Sequence, residues 1–100
     1  MRLLVEYGDY ECPYTGLAYP IVKEIQKRLG DGLLFVFRNF PPTQIHPHAR
    51  HAAEAAAIQG KFWKMHDYLL EHQQALDDEH LARYASKLTL EVNRFTRDMS

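Results

Sequence analysis

The stretch Gly8-Asp9-Tyr10-Glu11-Cys12-Pro13-Tyr14-Thr15-Gly16 joins a short apolar run to an amphipathic one and carries the chain's single cysteine. Before it, Leu3 to Tyr7 is β-compatible and Gly8-Asp9 supplies turn chemistry, which predicts a strand. After it, Ala18, Val22, Ile25 and Leu29 recur at helical spacing with Lys23, Lys27 and Arg28 on the other side, which predicts a helix from Pro13 to Leu29. Gly30 supplies the stop, and Pro20 removes one backbone donor, bending the helix without ending it. Leu33-Leu34-Phe35-Val36-Phe37 runs without alternation, as a strand covered on both faces does, and Pro41-Pro42 closes it. The opening reads as β-α-β, a crossover that joins parallel strands.

Beyond Pro47 no β-branched run or hairpin turn follows, and the remaining segments read as helices. His48 to Ile58 carries Ala49, Ala52, Ala53, Ala55, Ala56 and Ala57, whose small side chains allow close backbone approach, and Gly60 punctuates it. Phe62, His66, Leu69 and Leu70 mark the next helix. Asp77 is placed to cap another, with Leu76 stapling onto Leu81 and Tyr84, Ala85 and Leu88 continuing the stripe. Thr89 is placed to cap the last, where Val92, Phe95 and Met99 share a face.

With 100 residues, 46% hydrophobic and 25% charged, the chain is an ordinary globular domain, and one domain is the ceiling. Twelve Lys and Arg against thirteen Asp and Glu leave a net charge of −1 and no basic stripe, which argues against nucleic acid as a partner. The longest apolar run is far shorter than a membrane span, and Met1-Arg2 opens without a leader pattern. The chain as written is expected to be cytoplasmic with no membrane contact, an extracytoplasmic place remaining open if a leader was removed.

Cys12 stands between a strand and a helix N-terminus, where unpaired backbone N–H groups and the helix dipole stabilise a thiolate. Pro13 suits the first helical position. Asp9 and Glu11 oppose the effect through their negative charge. A lone cysteine is elsewhere often a small buried hydrophobe, but charged and turn-forming neighbours make this one a candidate nucleophile.

These residues, with the helix containing Pro20, then Phe35-Val36-Phe37-Arg38-Asn39-Phe40-Pro41 and the Ala-rich helix into Phe62-Trp63, resemble the DsbA-like branch of the thioredoxin superfamily. The resemblance implies an α/β fold class: a partial thioredoxin-like β-α-β unit over 1–42 holding the Cys-Pro-Tyr-Thr motif, followed by a DsbA-type helical subdomain over 43–100. It also implies thiol-disulfide exchange with Cys12 as the attacking thiol. Two departures qualify it. Thr15 occupies the resolving position, so an internal dithiol cannot form, and Thr15 is instead placed to assist a monothiol working with an external thiol such as glutathione. The family's later cis-proline strand has no counterpart, since no proline follows Pro47, which leaves the domain C-terminally incomplete relative to the family and its sheet edge open to self-association.

The implied function is a monothiol oxidoreductase acting on a thiol or disulfide substrate, without a bound cofactor. Pro13, Cys12 and Thr15 form its catalytic motif, with Tyr14, Phe62 and Trp63 beside the site as substrate-binding aromatics. Two alternatives stand next to it: a kappa-class-like glutathione-binding transferase or isomerase, and a non-catalytic truncated domain that oligomerises. His46, His48 and His51 raise metal binding, yet no carboxylate or thiol falls at ligand spacing, so no metal is expected. His66 reads as a hydrogen-bonded, partly buried histidine, and His72 and His80 as surface.

Overall fold

A computed structural model describes residues 2–39 and 48–99; Pro41-Pro42 and His46 lie outside the described residues. The order is β1 (Arg2–Gly8), α1 (Pro13–Leu29), a 3-10 turn at Gly30–Gly32, β2 (Leu33–Asn39), α2 (His48–Ile58), α3 (Phe62–Glu71), α4 (Asp78–Lys87) and α5 (Val92–Met99). β1 and β2 pair in parallel, with Leu3 opposite Leu34, Val5 opposite Val36 and Tyr7 opposite Arg38. α1 opens with Cys12 at its N-cap and Pro13 in the first turn, and it runs through Pro20 to a stop at Gly30, whose φ is +50°.

The core belongs to the helices. Ala49, Ala52, Ala53, Ala55 and Ala56 of α2 are all buried, and against them lie Met65, Leu69 and Leu70 of α3, Leu81, Tyr84 and Ala85 of α4, and Phe95 and Met99 of α5. Alanine leaves room for neighbouring helices to approach the α2 backbone, and the larger side chains of α3 and α5 fill the space it leaves. Of the described residues before α2, only Tyr10 belongs to this buried cluster.

Two helices end with the same device. After α2, Lys61 N–H bonds to Ala56 O and Gly60 N–H to Ala57 O, with Gly60 at φ +77°. After α4, Leu90 N–H bonds to Ala85 O and Thr89 N–H to Ser86 O, which places Thr89 at φ +61°, a left-handed position that a β-branched residue adopts at a cost. Thr89 is thus the terminator of α4 and not the cap of α5. That cap is Glu91, whose carboxylate accepts the N–H groups of Asn93 and Arg94. Asp77 does sit at the N-cap of α4, but its carboxylate holds His80 in place of a backbone amide.

The sheet and α1 differ from expectation. Leu3, Tyr7 and Leu34 are 65%, 67% and 50% exposed, so the strands are bare on one face where continuous apolarity had predicted cover on both. In α1 only Thr15 is buried, while Tyr14, Leu17 and Ile21 face solvent. The expected thioredoxin-like fold class is corrected accordingly: the described residues make a mostly helical protein with a small two-stranded parallel sheet. The physical reason is that an apolar run records compatibility with a buried strand but does not supply the layer that would bury it.

Because Thr89 holds a left-handed conformation, Thr89→Gly should raise stability by about 1 kcal/mol, read as a higher urea midpoint at unchanged slope. A lowered midpoint would show that the backbone there is not strained.

Candidate functional site

The β1–α1 junction is built by short-range hydrogen bonds. Asp9 is buried: its backbone N–H donates to Thr15 Oγ1 at 3.2 Å, and its Oδ1 accepts the Glu11 N–H at 3.0 Å. Cys12 N–H donates to Asp9 O at 2.9 Å, and Cys12 O accepts the Gly16 N–H at 3.1 Å as the first turn of α1 forms. From beyond α3, Gln73 Nε2 donates to Tyr10 O at 3.0 Å and Cys12 O at 2.8 Å, fastening the loop to the helical half.

This arrangement places the residues expected from sequence. Cys12 is a free, partly exposed thiol; Pro13 and Tyr14 are exposed, Tyr14 by 80%. Thr15 is buried beneath them, its hydroxyl oxygen taken by the Asp9 amide. Asp9, read from sequence as a charge opposing the thiolate, is a loop-forming side chain. The Phe62 and Trp63 rings pack on each other at 4.9 Å, and Trp63 packs on Phe35 at 5.3 Å, around His66.

His66 is the second feature of the site. It is 3% exposed, and six rings surround it: Phe37 at 4.6 Å, Trp63 at 5.1 Å, Tyr10 at 5.4 Å, Phe62 at 5.9 Å, and Tyr19 and Phe35 each at 6.4 Å. Its Nδ1 lies 2.9 Å from the Tyr10 hydroxyl. Burial pushes the imidazole down to about 4, so it is neutral at pH 7, and burial likewise holds the Tyr10 hydroxyl protonated. Next to the ring is a cavity of about 10 Å³, roughly the room one water needs, lined in part by Glu6, Tyr19, Lys23 and Asp67. Lys23 pairs with Asp67 at 3.0 Å, Tyr19 donates to Glu71 at 2.6 Å, and burial raises the Glu6 carboxyl.

Sequence reasoning missed Tyr10 and Gln73. Each acts across about sixty residues of chain, and neither lies on a periodic stripe that would announce a core position. Of the histidines considered for metal, His48 meets Asp78 through Nδ1 at 2.6 Å and His51 lies against Arg50, while His46 is outside the described residues. Among the described residues no group of three His, Cys, Asp or Glu side chains is close enough to hold a metal ion.

The chain is 47% identical over 102 residues to the Na(+)/H(+) antiporter NhaA 3 of Salinispora tropica, covering 97% of this chain and 15% of that protein. It is 45% identical over 100 residues to the Na(+)/H(+) antiporter NhaA 1 of Salinispora arenicola, with the same coverage of each. Against the Na(+)/H(+) antiporter NhaA of Herminiimonas arsenicoxydans the identity is 43%, covering 96% of this chain and 16% of the relative. The chain therefore spans less than one-fifth of the length of the curated relatives it matches. No protein-family profile and no solved structure matches it.

These names overturn the resemblance drawn from sequence. The relatives are named as ion antiporters and not as DsbA-like thioredoxin-family proteins, and the thiol-disulfide oxidoreductase reading is corrected with it, as are its descriptors of redox, monothiol and disulfide exchange. The partners built on that reading, a thiol or disulfide substrate with no membrane, are corrected too. A cysteine and proline at a strand-to-helix junction fix a loop geometry, and loop geometry does not by itself carry an activity.

The Gln73 fastening is testable through Gly16, because a Cβ there would collide with the Gln73 side-chain amide. Gly16→Ala should gain nothing in the native background, where displacing Gln73 offsets the helix propensity of alanine. With Gln73 already alanine it should gain about 0.5–1 kcal/mol. Equal effects in both backgrounds, measured by denaturant unfolding, would show that Gln73 does not hold the loop.

Proposed function

We propose that this chain is a segment of a Na(+)/H(+) antiporter-type polypeptide that lies outside the membrane-crossing part, as an accessory unit beside the ion-exchanging machinery. The observation that carries the proposal is a mismatch of scale and kind. Nearly all of this chain matches proteins named as antiporters, yet it makes up 15 to 16% of them, and none of its described helices is long and apolar enough to cross a membrane.

The longest of those helices, α1, has 17 residues and would reach about 26 Å, short of the hydrocarbon thickness. It also carries Lys23, Glu24, Lys27 and Arg28 together with Pro20. A pathway for Na⁺ and H⁺ needs ionisable groups held within a bilayer, and these helices do not offer that setting. In this reading the β1–α1 junction, with Cys12 at the N-cap, Pro13 following and Thr15 beneath, is an ordered surface loop of the accessory unit. Tyr14 stands exposed beside it, and Phe62 and Trp63 serve the seam around His66.

The test is removal. The longer polypeptide, with and without this segment, is placed in cells lacking Na⁺/H⁺ exchange, and Na⁺-dependent dissipation of a pH gradient is followed in inside-out vesicles. The version without the segment is expected to insert and retain Na⁺-dependent exchange, and the segment alone to produce none. Normal insertion with complete loss of exchange would place the segment within the transport machinery and contradict the proposal.

A further inference from the structure

We propose that His66 is an acid-operated latch: its neutral ring closes the seam between the β1–α1–β2 unit and the helical half, and its protonation opens that seam while the helical core stays folded. This inference does not depend on the antiporter reading. It rests on where the ring sits. Tyr10 reaches it from the β1–α1 loop, Tyr19 from α1, Phe35 and Phe37 from β2, and Phe62 and Trp63 from its own helix α3. The β1–α1 loop, α1 and β2 thus all meet one imidazole, and its Nδ1 is already engaged with the Tyr10 hydroxyl.

The surroundings give an added proton little help. From β1 the facing group is Glu6, whose carboxyl burial holds toward its neutral form. From α1 the facing groups are Tyr19, committed to Glu71, and Lys23, whose charge opposes a second cation. From α3 it is Asp67, whose Oδ2 pairs with Lys23 at 3.0 Å and whose charge favours the imidazolium, but less than burial opposes it. From β2 the facing groups are the apolar rings of Phe35 and Phe37. Aromatic faces attract a cation only modestly compared with the hydration it gives up on burial.

The direction follows. The folded imidazole is held below its ordinary value of 6.5, at about 4, so the seam is most stable above 6.5 and weakens as pH falls from 6.5 toward 4. Beyond the ring cluster, opening has to break the Lys23–Asp67 and Tyr19–Glu71 ties and the two Gln73 hydrogen bonds to the loop, while α1 buries only Thr15 and the sheet is bare on one face. His66 is the one buried histidine among the described residues, and the apolar side chains clustered between α2 and α5 gain no charge in the same interval.

Trp63 is the only tryptophan and its ring lies 5.1 Å from His66, so its emission reports the seam while far-ultraviolet circular dichroism reports the helices. On acidification from 6.5 to about 4 the emission of the intact chain should shift to the red while the helical signal is retained, and the His66 ring resonances should titrate over the same interval. His66→Gln should abolish the emission change. Should that variant fail to fold, the coincidence of ring titration and emission in the unsubstituted chain decides the matter. Emission that stays constant, emission that moves apart from the His66 resonances, a transition unchanged in a folded His66→Gln variant, or simultaneous loss of emission and helical signal would each overturn the latch.

Discussion

A hydrogen bond inside a ring cluster, Tyr10 hydroxyl to His66 Nδ1, lies at the centre of the seam between two parts of unequal cohesion. On one side is a helical unit whose buried side chains interlock through the alanine face of α2. On the other is a strand-helix-strand unit that buries little of its own apolar surface. A two-stranded sheet is marginal in water unless it packs on a helix, and the packing comes from Phe35 and Phe37 against Trp63 and His66 of α3. The placement of β1, α1 and the Cys12 loop therefore depends on this seam, with Gln73 fastening the loop from the same side.

The choice of histidine at the centre has an energetic meaning. A phenylalanine there would pack as well, but it would leave the Tyr10 hydroxyl buried without its partner. The imidazole satisfies that hydroxyl while remaining neutral, and it stays neutral because burial opposes the charge. Around the cluster's rim, Lys23 with Asp67 and Tyr19 with Glu71 tie α1 to α3 through contacts that water partly screens. Those outer ties join α1 to α3 at the rim, while the aromatic centre encloses the buried His66 ring.

Much of the secondary structure was legible in the residues. Gly30 and Gly60 ended helices where their freedom at positive φ predicted, and Pro13 opened α1 where its missing N–H is harmless. The helical period of the second half placed Leu69, Leu81, Phe95 and Met99 in the core. Misreadings occurred where a residue's role depends on distant partners. Thr89 looked like a cap, but the left-handed turn closing α4 claims it, and Glu91 does the capping. The run Leu33 to Phe37 looked doubly covered, yet cover requires a second layer that the described residues do not provide. Tyr10 was hidden inside a polar loop motif, and the pull of that motif toward a redox family is what the antiporter relatives corrected.

These observations describe a small helical unit with a weakly covered sheet, matched to one part of proteins named as Na(+)/H(+) antiporters and lacking among its described helices any able to cross a membrane. The proposed reading is that this segment lies outside the membrane-crossing part of such a polypeptide. The most direct measurement is limited proteolysis of the longer polypeptide in sealed vesicles of each orientation, with the fragments identified by mass spectrometry. The account predicts that in one orientation protease releases this segment into the aqueous phase as a folded fragment near its own mass of 11.7 kDa. Persistence of its peptides within the membrane-protected fraction in both orientations would contradict it.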